Sequence, residues 1–91
     1  MHALHVHVEL DPERDDAPDF LRDRVIPMIS QGAGFQSGTW ARSLDGTAGR
    51  SLILYESEDA AKDAADRAAQ GVPGAPATFV SAEVLEVVAQ A

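Results

Sequence analysis

His2-Ala3-Leu4-His5-Val6-His7-Val8-Glu9-Leu10 alternates without a break: Leu4, Val6, Val8 and Leu10 fall on one side, His5, His7 and Glu9 on the other. Successive side chains of an extended chain point to opposite faces, so this stretch is a strand with one apolar face. Asp11-Pro12-Glu13-Arg14-Asp15-Asp16 ends it, since a proline and a polar run can turn or cap but cannot fill a core. A helix is expected beyond, with Asp15 or Asp16 as N-cap, Pro18 and Asp19 in the first turn, and Phe20, Leu21, Val25, Met28 and Ile29 near helical spacing. Pro27 would remove a hydrogen bond inside that helix, which predicts a kink near Asp23 to Ile26 or a helix shortened there, the rest of the stretch ending at Gln31-Gly32.

Further along, Thr39-Trp40-Ala41-Arg42-Ser43 and Arg50 to Glu56 read as two strands. The Leu44-Asp45-Gly46-Thr47-Ala48-Gly49 connection makes them an antiparallel hairpin. Ser57 is the expected N-cap of a second helix, with Glu58 and Asp59 complementing its dipole. Ala60, Ala61, Ala64, Ala65, Ala68 and Ala69 give that helix a smooth stripe, and Gly71 closes it. Ala77 to Val88 is the last strand, with apolar residues on both faces and a bulge expected near Val84-Leu85 to resolve the parity. The order is β-α-β-β-α-β: an α+β, ferredoxin-like domain over residues 1–91, with an antiparallel four-stranded sheet covered by helices on one face only.

The chain has 91 residues and no cysteine, which admits one domain and excludes a disulfide framework or a thiolate nucleophile. Sixteen residues are alanine, so the core is thin, and burial against a second copy would help. Fifteen acidic against seven basic residues, a formal charge of −8, disfavour nucleic acid and anionic membrane surfaces as partners. No apolar run approaches a membrane span, Met1-His2-Ala3-Leu4-His5 does not read as a secretory leader, and a cytoplasmic location is expected.

Two sets of residues could carry chemistry. His5, His7 and Glu9 share a strand face, and imidazole suits proton transfer near neutrality. Adjacent positions of one strand converge poorly on a single ion, so no metal and no cofactor are expected. Trp40, Arg42 and Tyr55 lie in the hairpin, where an aromatic wall with a few polar tips suits a small-molecule pocket, or equally an interface. The acidic run from Glu9 to Asp19 lacks the register of a calcium loop, and Gly32-Ala33-Gly34 follows a helix instead of opening one, unlike a phosphate loop.

The element order, Gly34-Phe35-Gln36-Ser37-Gly38 leading to Trp40, the Leu54-Tyr55-Glu56-Ser57-Glu58-Asp59-Ala60 junction and the closing Glu83-Val84-Leu85-Glu86-Val87-Val88 together resemble the dimeric α/β-barrel superfamily. Within it the chain looks most like small bacterial proteins related to the antibiotic biosynthesis monooxygenase domain. The resemblance implies a homodimer whose open sheet faces close into a barrel, with a pocket between each sheet and its helices or loops. It points to Tyr55 as pocket-lining, at a junction where related domains carry tryptophan. Three functions are compatible with this reading. They are binding of a small aromatic or apolar molecule at Trp40 and Tyr55, cofactor-independent oxygenation with His5 or His7 as base and Arg42 as anion-stabilising donor, and a structural or regulatory homodimer without catalysis.

Overall fold

The alternating N-terminal stretch forms β1 (His2–Leu10), which pairs with antiparallel neighbours on both edges. The computed structural model describes residues 1–91. After β1 come α1 (Ala17–Phe20), a π-helical turn (Leu21–Val25) and α2 (Ile26–Ser30), then β2 (Phe35–Arg42), β3 (Ala48–Tyr55), α3 (Glu58–Gln70) and β4 (Ala77–Glu86). The strand order is β2-β3-β1-β4, wholly antiparallel, which is the ferredoxin-like α+β arrangement. No helix is long and apolar enough to cross a membrane.

Pro27 has a specific structural consequence. The Ile26 N–H donates to the Leu21 carbonyl, five residues back, so the helix widens by one π turn just before the proline enters at the start of α2. The sequence pattern predicts a kink or a stop in this stretch; the chain does not stop, and residues 17–30 stay helical through a π turn at Leu21–Val25, where the irregularity is expected. Asp16 occupies the N-cap position of α1 but caps nothing with its side chain. Its carboxylate accepts from Arg14 Nη2 at 2.6 Å and Nε at 3.0 Å instead. Ser57 behaves as expected: it is extended (φ −142°, ψ 159°), and its side chain accepts from the Ala60 N–H at 3.1 Å.

β2 begins at Phe35, four residues before the expected Thr39, because Phe35 pairs with Tyr55 and the Glu56 N–H donates to the Gly34 carbonyl at 2.8 Å. Local propensity is silent about Gln36-Ser37-Gly38; cross-strand pairing makes them strand. The bulge of β4 is not at Val84-Leu85. It lies where His7 pairs with Ser81 and Val8 with Phe79, leaving Val80 as the extra residue, 45% exposed. That one residue switches parity, so that Phe79 on one side of it and Ala82 and Val84 on the other all face the helices.

Paired residues share a face. Leu4, Ile53 and Tyr55 on the sheet and Ala61 and Ala64 on α3 form the buried core. The small alanine side chains let α3 lie close to β1 and β4, while α2 touches β2. Only 8 of the 91 residues are buried, so a single chain leaves much of its apolar surface accessible. On the opposite, uncovered face run the rows Ser37–Leu54–Ala3–Leu85, Thr39–Leu52–His5–Glu83 and Ala41–Arg50–His7–Ser81. Leu52 and Leu85 there are 44% and 37% exposed. A groove of about 470 Å³ on this face is bordered by Leu52, Leu54 and Leu85 and by Val87 and Val88 beyond β4.

Candidate functional site

Between the first helical segment and α3 the helical layer does not meet the sheet completely, and a half-open cavity of about 570 Å³ remains. That is within the range of small-molecule sites. Its floor follows from strand parity: Val6, Val8, Trp40, Ser51 and Phe79 all lie on the helix-facing side. Phe20, Leu21, Val25 and Met28 form one wall because their spacing puts them on the inner side of the segment 17–30. Ala64 and Ala68 form the other, and alanine here leaves room that a larger residue would fill. The Trp40 indole lies over Gly38, where a Cβ would come within 2.5 Å of the ring.

Two hydroxyls open into this apolar space. Ser51 is 9% exposed and Tyr55 1%, yet neither side-chain oxygen makes a hydrogen bond within the chain. Neither is sealed from the cavity; the one fully enclosed polar side-chain atom lacking a partner is His2 Nδ1. The Tyr55 ring meets Phe35 edge-on, with centroids 6.4 Å apart and planes at 81°, which holds the phenol in place. Burial pushes the Tyr55 phenol above its ordinary 10.0, with the Arg67 charge acting in the opposite direction. At neutral pH it is therefore a hydrogen-bond donor.

The cavity lining contains no Asp, Glu or His, although the chain has fifteen acidic residues and three histidines. Arg42, Arg50 and Arg67 are its basic residues: Arg42 sits on the helix-facing row with Gly49, Val8 and Phe79, Arg50 borders the space from the row that faces the other way, and Arg67 reaches in from α3. None of the three forms an ion pair.

Trp40, Arg42 and Tyr55, which the sequence suggests for a pocket, thus come together on one side of the sheet. His5 and His7 lie on the other side, beside Leu52 and Glu83 and beside Arg50 and Ser81 respectively. Within one chain no histidine base shares a cavity with Arg42. Sequence reasoning missed Ser51, Arg67 and Phe79. Ser51 carries a legible signal as the lone hydroxyl between Gly49 and Ile53 on the inward side of β3. Arg67 follows Ala60 and Ala64 at helical spacing, which places it on the alanine side of α3. Phe79 could not be placed without knowing where the bulge lies.

The fold and site define a ferredoxin-like protein with an apolar, acid-free cavity between sheet and helices. No protein-family model matches the chain, and no curated protein matches it.

Proposed function

We propose that this protein binds a small, mainly apolar or aromatic molecule in the cavity between sheet and helices, and works as a homodimer of the α/β-barrel type. The observation that carries the reading is the pair of buried, unpartnered hydroxyls, Ser51 and Tyr55, opening into an otherwise apolar space. Both oxygens reach the half-open cavity and have no partner within the chain, so they are free to bond a polar group of a ligand whose apolar part is withdrawn from water. The homodimer reading is supported by the exposed Leu52 and Leu85 and the apolar groove on the uncovered face. A four-stranded face supplies roughly the 800 Å² per partner of a standard interface. Binding is preferred to cofactor-independent oxygenation because the cavity offers no imidazole or carboxylate to take a proton.

Titration of ¹⁵N-labelled protein with 1-naphthol tests the binding site. The expected result is amide shifts at Val6, Val8, Ser51 and Tyr55 and none at His5, His7 or Glu83. Shifts confined to the open face, or no shifts at saturating naphthol, would remove the cavity from consideration.

A further inference from the structure

We infer that the molecule this cavity takes carries a carboxylate, held by Arg67 at the rim and by the Tyr55 hydroxyl just inside it, with its apolar part lying over Val6, Val8 and Trp40. The inference rests on the binding reading above and specifies the chemistry of that same site.

It starts from where the positive charge goes. The chain has seven basic residues among fifteen acidic ones, so carboxylate partners abound. Arg14 pairs with Asp16, Arg22 with Asp19 and Asp23, and Lys62 with Glu58. Arg24 lies over the Phe20 ring, 5.6 Å from its centroid. Arg42, Arg50 and Arg67 form no ion pair and all three border the cavity; of these, Arg67 is the one on a helix, with acidic neighbours at pairing distance along it. Asp63 stands one helical turn before it and Asp66 beside it, and a pair four residues apart on a helix is a favourable contact. Arg67 forms an ion pair with neither. Its guanidinium turns to the inner side of α3, with Nη2 3.5 Å from where a Cβ on Gly32 would stand, and it lines the cavity.

The surroundings suit an anion and no other charge type. No acidic side chain lines the cavity to compete for the guanidinium, and the Tyr55 phenol, close enough to feel the Arg67 charge, donates at neutral pH. Arg67 is itself exposed, so the charged head would sit at the rim while the apolar part enters the dry interior. A guanidinium fork matches a carboxylate with two parallel hydrogen bonds, and the tyrosine hydroxyl can donate a third. The global charge of −8 repels anions at long range, which makes a local cationic rim a requirement for such a ligand.

Octanoate and octanamide differ in the head alone, and isothermal titration of the purified full chain with each decides the matter. Octanoate is expected to bind about tenfold more tightly, the size of one charge-assisted contact. Arg67→Gln is expected to bring octanoate down to the level of octanamide while leaving octanamide unchanged. Arg22→Gln, which removes the same charge from the outer surface, keeps the gap. Equal affinity for acid and amide in the unaltered protein, or a gap that survives Arg67→Gln, would overturn the carboxylate assignment and leave the cavity reading standing. Failure of both compounds to shift the Val6, Val8 and Ser51 amides at saturation would overturn both. Should Arg67→Gln not fold, as judged by its thermal transition, the acid–amide comparison in the unaltered chain is decisive by itself.

Discussion

A methyl group at position 34 meets two obstacles at once, and Gly34→Ala therefore tests how the turn before β2 is seated against α3. Gly34 has φ 78°, a left-handed conformation that costs an L side chain roughly 1–2 kcal/mol. The new Cβ would also stand 2.7 Å from the Ala60 Cβ and 3.2 Å from Glu56 Cγ. Carbon atoms rest at about 3.5–4.0 Å, so the first contact is too close by roughly 1 Å. Glu56 can swing away; the Ala60 Cβ has no torsion with which to move, so the helix or the turn must shift, at roughly 1–3 kcal/mol. The reduced freedom of the unfolded alanine chain returns about 0.4–1 kcal/mol, leaving a net loss of roughly 2–4 kcal/mol. For a domain of this size that lowers the unfolding midpoint by roughly 10–20 °C. Gly46→Ala is the matched control: its φ is 77°, but nothing stands within 4 Å of the added methyl, so it keeps the backbone cost alone, about 1 kcal/mol or less. Both variants are measured by thermal and urea unfolding followed by circular dichroism. Equal losses for the two would refute the steric part of the reasoning and with it the close seating of Gly34 on α3.

Ser57→Ala removes the side-chain acceptor of the Ala60 N–H and should cost about 1 kcal/mol in urea unfolding, with Ser57→Asn restoring most of it. Asp45 accepts from Ser43 Oγ at 2.7 Å, Thr47 N at 3.0 Å and Thr47 Oγ1 at 2.7 Å, which holds its carboxyl at about 2 instead of 3.8. A group with a depressed folded value stabilises fully above its ordinary value, so the stability gap between the unaltered protein and Asp45→Ala should be constant above 3.8 and close as pH falls through about 2. Sedimentation velocity should give twice the 9.6 kDa chain mass for the unaltered protein and the single-chain mass for Leu52→Glu, which places a charge in the middle of the uncovered face. An unaltered protein that sediments as one chain at micromolar concentration would end the homodimer proposal.

The order and type of the elements were legible because they rest on local regularities. The period-two pattern of His2 to Leu10, the Ser57 cap, the alanine stripe and the Asp45-Gly46 turn each act within a few residues, and each stands where the sequence places it. Alternation separates Leu4, Val6 and Val8 from His5 and His7, but which of the two sides faces the helices is set by the packing of α3 on Leu4 and Ile53. The positions that failed are those set by a distant partner. β2 extends to Phe35 because Tyr55 offers it a strand to pair with, and the β4 bulge falls at Val80 because pairing to His7 and Val8 fixes it there. The π turn before Pro27 depends on which carbonyl the Ile26 N–H can reach once the helix is laid beside the sheet. The cavity belongs to the same class. Trp40, Arg42 and Tyr55 could be nominated from residue type, but that they share a space with Ser51, Arg67 and Phe79 while the histidines do not was decided by strand register and by how closely an alanine-faced helix approaches the sheet. Sequence alone thus determines what acts over a turn of helix or a step of strand; only the tertiary structure decides which faces oppose one another and where the packing leaves room.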